Sequence, residues 1–106
     1  MLLRQIRAKR LARNYRELNR FNDMAEVLGK WSKARPWIRE AYVVPETNEA
    51  VLLVFTDKNK DDEPTQLGCC SLALYMGSVF RLPMQACVTD LDPVVHPVYV
   101  FAYRRQ

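Results

Sequence analysis

The two halves of this chain carry the same succession of patterns: a helical periodicity, a proline, and two short segments rich in β-branched and aromatic residues. Residue identity between the halves is weak, so the repetition is one of pattern. One helix with two strands cannot bury its apolar faces alone, whereas two such units side by side enclose a core. The repetition therefore predicts a single α+β domain spanning residues 1–106.

The first helix is predicted over residues 3–33, where apolar side chains recur at three- and four-residue steps. Asp23 followed by Glu26 has the spacing of a capping box, so two helices joined near 21–23 are the alternative to one bent helix. Pro36 ends the pattern because the residue before a proline is pushed out of helical geometry. The apolar stripe consists of Leu11, Tyr15, Leu18, Phe21, Ala25, Leu28 and Trp31.

The remaining elements give the order α-β-β-α-β-β, which predicts a four-stranded antiparallel sheet with both helices on one face. This arrangement is a circular permutation of the ferredoxin-like fold. The segment Val51–Phe55 is apolar on both faces, so we expect it in the middle of the sheet. The predicted strands are Ile38–Val44, Ala50–Thr56, Met84–Thr89 and Val98–Arg104, and the second helix is Thr65–Phe80.

Charge is divided unequally along the chain. Residues 1–35 carry +7 from ten basic and three acidic residues, and residues 36–106 carry −3 from six basic and nine acidic residues. A segment this basic attracts polyanions or acidic protein surfaces. Most of its basic residues are arginines, whose planar donor fork fits phosphate and carboxylate.

Lys9, Arg13, Arg16 and Arg20 fall on the side of the predicted helix opposite its apolar stripe. The expected partner is therefore nucleic acid, or else an acidic protein surface. A solvated helix face that binds nothing is the alternative, and no membrane binding is expected because the apolar stripe packs on the fold. The candidate ligands are Lys9, Arg10, Arg13, Arg16 and Arg20.

The last predicted strand carries a row of aromatic residues. Strict alternation along Val98–Arg104 places Tyr99, Phe101 and Tyr103 on one face of the sheet. Three interpretations stay open: the row belongs to the core, forms a partner or homodimer interface, or stacks nucleic-acid bases as exposed aromatics do on RNA-binding sheets.

The segment 57–63 contains the D-x-N-x-D opening of a calcium-binding loop. The loop needs glycine at its sixth position and glutamate at its twelfth, where this chain has Asp62 and Gly68, so an EF-hand is excluded. If the second and third strands are parallel, Asp57 comes close to Asp90 and Asp92 at one sheet edge. These three carboxylates are weak candidates for a magnesium site, and we predict no metal or other cofactor.

No catalytic motif is recognisable, since the chain lacks a Gly-x-Ser-x-Gly elbow, a C-x-x-C pair and a phosphate-binding glycine loop. Three cysteines, two of them adjacent, indicate reduced thiols and a cytoplasmic location. The sequence thus favours a non-enzymatic protein that binds nucleic-acid phosphates. The alternatives are an adaptor or inhibitor that docks on a larger protein complex, and a metal-dependent phosphoryl-transfer enzyme.

Overall fold

The structure, a computed structural model, describes residues 19–106. A helix occupies residues 19–33 of this part and is called α1. Within the described residues, the order of elements agrees with the predicted α-β-β-α-β-β succession, and the boundaries differ from the predicted ones by at most two residues. The predicted start of the first helix at residue 3 lies outside the described residues. The elements that follow α1 are β1 (Ile38–Glu46), β2 (Glu49–Thr56), α2 (Glu63–Phe80), β3 (Met84–Thr89) and β4 (Val100–Arg104).

The four strands form one mixed sheet in the order β3-β2-β1-β4. β1 pairs antiparallel with β2 and with β4, but β2 and β3 are adjacent and parallel. The expected all-antiparallel sheet is therefore wrong at this pair, and the permuted ferredoxin-like arrangement is not confirmed. The reason is the connection: α2 carries the chain back to the start of β2, so β3 runs in the direction of β2 beside it. β2 lies inside the sheet, as its two-sided apolar pattern predicted.

The hairpin between β1 and β2 is tight, with Glu46 opposite Glu49. Asn48 adopts a left-handed backbone conformation with φ 62°, which asparagine tolerates better than most residues. Pro45 is accommodated in β1 because the pairing of β1 with β4 extends only as far as Val43.

Both helices pack on the same face of the sheet. The core cluster joins Met24 and Leu28 of α1 to Met76 of α2 across the inward residues of the strands. Arg20 of α1 contacts the C-terminal end of α2, whereas Trp31 lies near its N-terminal part, so the two helices run antiparallel. The inward strand residues are Ile38, Ala41, Val43, Ala50, Leu52, Val54 and Val88.

The position of α1 over the sheet is set by a glycine. A Cβ atom placed on Gly29 would lie 2.5 Å from the carbonyl oxygen of Ala102 in β4. Only a residue without a side chain permits this approach of helix and strand backbones. α1 therefore crosses the β4 side of the sheet, while α2 covers the side of β2 and β3.

Sequence signals define both ends of α2. Asp62 caps its N-terminus, because its carboxylate accepts hydrogen bonds from the backbone N–H and the hydroxyl of Thr65 (3.3 and 2.6 Å). Arg81 ends the helix in a left-handed conformation with φ 54°. Neither α2 nor the described part of α1 has the length and apolarity needed to cross a bilayer.

Candidate binding surfaces

The predicted basic ligands are only partly described. Lys9, Arg10, Arg13 and Arg16 lie outside the described residues. Arg20 is half-buried, and its guanidinium donates a hydrogen bond to the carbonyl of Phe80. This carbonyl belongs to the last turn of α2, where the helix dipole favours a cation. Arg20 thus joins the two helices, a role that sequence reasoning missed.

The described part of α1 is amphipathic, but Arg20, which the sequence placed on the solvent side, is half-buried against α2. Met24, Ala25, Leu28 and the polar Ser32 are buried, whereas the other six polar residues of α1 face solvent. The exposed polar set is Asn19, Asn22, Asp23, Glu26, Lys30 and Lys33.

Basic residues continue at the C-terminal ends of α1 and β4. A cleft of about 390 Å³ is lined by Lys33, Tyr103, Arg104 and Gln106. Nearby in the chain, the guanidinium of Arg35 stacks over the Trp31 ring at 4.1 Å and donates to the Trp31 carbonyl. This end of the molecule therefore presents cationic donors beside an aromatic ring.

The aromatic residues of the last strand do not share one face. Ala41 pairs with Tyr103 and Tyr42 pairs with Phe101, so β4 contains a bulge with Ala102 as the extra residue. The bulge turns Tyr103 toward the helices, where it packs against the core. Strict alternation, which placed Tyr103 beside Phe101, is therefore wrong at this point.

Phe101 and Tyr99 lie on the open face of the sheet, around a buried tyrosine. The ring centroid of Tyr42 is 6.0 Å from that of Phe101, 6.2 Å from that of Tyr99 and 6.2 Å from that of Phe55. The edge-to-face contacts with Phe101 and Phe55 are favourable arrangements for aromatic rings. Phe101 nevertheless remains 57% exposed, so it is available for contact.

Arg104 is fixed beside this aromatic cluster. Its Nε donates to Glu40 Oε1 at 2.6 Å, and a terminal nitrogen donates to the Tyr42 hydroxyl at 3.3 Å. These bonds to Tyr42 and Glu40 raise the pKa of Arg104 above its ordinary value, so it stays charged. Its guanidinium carbon lies 5.8 Å from the Phe101 ring centroid. Tyr99, Phe101 and Arg104 together form a surface that we call the open-face patch.

The aspartates proposed for magnesium do meet at one edge of the sheet, but an arginine lies among them. Arg39 Nε is 3.4 Å from Asp57 Oδ1, and Arg39 Nη1 is 3.5 Å from Asp92 Oδ1. The same guanidinium donates to the carbonyls of Asp90 (3.2 Å) and Leu91 (2.6 Å). β1 thereby holds the loop that follows β3.

The aspartate carboxylates have protein partners as well. Arg105 bonds to Asp57, and this hydrogen bond is the main reason that the pKa of Asp57 lies below its ordinary value. The Asp90 carboxylate accepts the backbone N–H of Lys60 at 3.2 Å. Within residues 19–106, no three His, Cys, Asp or Glu side chains are grouped closely enough to hold a metal ion. This geometry favours a structural role for the aspartates and gives no support to phosphoryl transfer.

Family models, curated proteins and solved structures were compared with this chain, and none of them matches it.

Proposed function

We propose that this chain is a small non-enzymatic binding protein that engages nucleic-acid phosphates through its Arg-rich N-terminal segment, residues 1–35. The observation that carries the proposal is the charge division, +7 in this segment against −3 in the remainder. Phosphate contacts supply most of the affinity of sequence-independent nucleic-acid binding. A basic helix whose other side is packed on a sheet can present its guanidinium groups to a phosphate backbone without losing its fold.

Two features of the described residues support the proposal. α1 buries Met24 and Leu28 and leaves its polar side in solvent. On a helical projection of the sequence, Leu11, Tyr15 and Leu18 lie opposite Lys9, Arg13 and Arg16. The cleft beside Lys33 and Arg104 extends the positive charge past the end of α1.

The test is fluorescence anisotropy with labelled single-stranded RNA, single-stranded DNA and duplex DNA between about 50 and 200 mM salt. Contact with six phosphates gives a slope of about −5 in log affinity against log salt. The double variant Arg13→Gln, Arg16→Gln lowers the magnitude of this slope by about 2. The control is Lys58→Gln, Lys60→Gln, which removes the same charge from an exposed loop of the body. No binding at low salt, or equal losses in the two double variants, contradicts the proposal.

A protein-directed adaptor or inhibitor is the second candidate, and the open-face patch is the observation that favours it. Phe101 is an exposed aromatic residue beside Arg104, and aromatic and arginine side chains dominate protein-binding hot spots. For such an adaptor, Phe101→Ala releases a protein partner that Arg13→Gln, Arg16→Gln retains. For base stacking, Phe101→Ala instead weakens single-stranded binding by about 1–3 kcal/mol and leaves duplex binding unchanged.

A further inference from the structure

β3 forms one edge of the sheet, and its outer side carries unpaired backbone groups. The Ala50 N–H donates to the Pro83 carbonyl at 3.0 Å, which fixes the alternation of the parallel ladder. Gln85 and Cys87 therefore direct their backbone N–H and C=O groups toward β2, whereas Met84, Ala86 and Val88 direct theirs outward. In the part of the chain that the structure describes, no strand pairs with this outer side.

The two edge strands of the sheet, β3 and β4, differ in how well they are protected from pairing with another strand. β4 contains a bulge and ends in Arg104 and Arg105, and irregular or charged edges resist pairing with another strand. β3 pairs with β2 through six consecutive residues without any shift in register. It contains no charged residue and no proline between Met84 and Thr89. An edge of this kind is a template for a further strand.

The uncharged surface of β3 continues over the outer face of α2, the face turned away from the sheet. Residues 64–89 contain a single charged side chain, Arg81, in a chain whose composition is 26% charged. On α2, Leu67 is 59% exposed, Leu74 is 76% exposed and Tyr75 is 61% exposed.

Helix and edge strand form one continuous surface. A shallow cleft of about 420 Å³ between them is lined by Leu74, Gly77 and Met84 and, at the end of α2, by Arg81, so the helix face passes directly into the start of β3. A partner that adds a strand to β3 therefore also contacts Leu74. Backbone pairing and apolar burial then act together, which is how strand addition achieves affinity.

We infer that this surface, the β3 edge with the outer face of α2, binds a second copy of the same chain across a twofold axis. Electrostatics favours this occupant: on residues 64–89, phosphates and charged protein surfaces find a single charged side chain, Arg81. A second copy brings an equally neutral surface of the same length. A twofold axis also pairs a strand with itself in antiparallel direction, as an isologous interface requires. The inference does not depend on nucleic-acid binding.

The pairing register is restricted by the alternation of β3. Outward-directed residues must face outward-directed residues, so the twofold axis passes beside a residue and not between two residues. Full overlap of the two β3 strands places the axis beside one of the two central residues, Cys87 or Ala86. In the first register the two Cys87 residues are directly opposite, with Cα atoms about 4.5 Å apart, close enough for a disulfide. In the second register they are diagonal neighbours at roughly 7–8 Å. Either way, the two Cys87 residues come close together.

The experiment is sedimentation equilibrium of the full-length chain over a concentration series, with circular dichroism to verify folding. The wild type is expected to reach twice the monomer mass. Cys87→Lys, at an exposed position, places two lysines next to each other across the axis and weakens dimerisation by about tenfold or more. The matched control is Phe101→Lys at the opposite edge, which leaves the dimer intact.

A second pair of measurements applies if a lysine variant is poorly folded. Ala86→Pro removes an N–H that the sheet of one copy does not use, and this variant is expected to be a folded monomer. In a Cys70→Ser background, oxidation with copper phenanthroline couples the Cys87 thiols into a covalent dimer, and further replacement of Cys87 by serine prevents it. A wild-type monomer at all concentrations overturns the inference. So does a dimer that Phe101→Lys breaks and Cys87→Lys leaves intact.

Discussion

Gly29→Ala tests the contact that sets the basic helix on the sheet. The new Cβ atom would lie 2.5 Å from the Ala102 carbonyl oxygen, whereas ordinary van der Waals contact begins at 3.4 Å. The backbones of α1 and β4 must therefore separate by about 0.9 Å. No side-chain rotation can relieve this contact, because the opposing atom belongs to the backbone of the β4 bulge.

The expected change in the free energy of unfolding is the difference between two opposing effects. Alanine is favoured over glycine inside a helix by about 1 kcal/mol. Overpacking costs about 1–3 kcal/mol, and backbone atoms on both sides place Gly29→Ala at the upper end of this range. The net loss in the free energy of unfolding is then about 2 kcal/mol. For a domain of this size, this loss lowers Tm by roughly 8–16 °C.

Thermal and urea unfolding followed by circular dichroism measure this loss, and Gly68→Ala is the matched control. Gly68 is also helical, but a Cβ atom there would meet only Trp31 Cζ2 at 3.4 Å, an ordinary contact. The control keeps the gain in helix propensity without the clash, so its stability rises by up to about 1 kcal/mol. The reasoning is refuted if the two variants have the same stability, since α1 would then not lie against the β4 bulge.

Four further substitutions or treatments test other parts of the structure. Leu28→Ala removes a fully buried side chain and should lower the free energy of unfolding by about 2–5 kcal/mol in urea titrations. Arg81→Gly should raise Tm, because glycine adopts the left-handed C-cap of α2 without strain. Burial raises the pKa of the Cys69 thiol to about 12, so iodoacetamide at pH 8 should alkylate exposed Cys70 but not Cys69, as peptide mass analysis can show. The hydrogen bonds that the Asp62 carboxylate accepts from Thr65 lower its pKa below the ordinary value of 3.8. The stability that this cap adds is therefore present above pH 3.8 and is lost as pH falls through the lowered pKa. Asp62→Ala should therefore lower Tm at neutral pH, and the deficit should disappear in strong acid.

Local patterns were sufficient to predict the elements of the described part of the chain. The apolar run of β2 predicted this strand with nearly its observed boundaries, because the signal comes from neighbouring residues. The parallel pairing of β2 with β3 depends instead on where α2 returns the chain, and periodicity contains no information about that. The bulge that separates Tyr103 from Phe101 is likewise invisible in an alternating strand, since one extra residue changes the face without changing the pattern.

The aspartate edge shows the same limit for a site. Parallel pairing of β2 and β3 did bring Asp57 to the edge where Asp90 and Asp92 lie, as the sequence hypothesis required. No pattern in the sequence indicates that Arg39, from β1, lies among them. The fold decides which residues that are far apart in the chain come close together. A cluster of acidic residues in a sequence therefore does not reveal whether a basic side chain neutralises it in the structure.

In residues 36–106, many charged side chains lie beside a side chain of opposite charge. Arg39 and Arg105 meet Asp57, Arg104 meets Glu40, and Lys58 approaches Asp62. The surplus of positive charge therefore lies in the first 35 residues of the sequence, of which the structure describes residues 19–35 on the β4 side of the sheet. The neutral surface of β3 and α2 lies at the opposite edge. Because α1 and β3 lie on opposite sides of the sheet, the dimer proposed above would leave α1 of each copy uncovered at residues 19–33. If both proposals hold, the dimer is expected to bind a long polyanion more tightly than the monomer through two linked contacts.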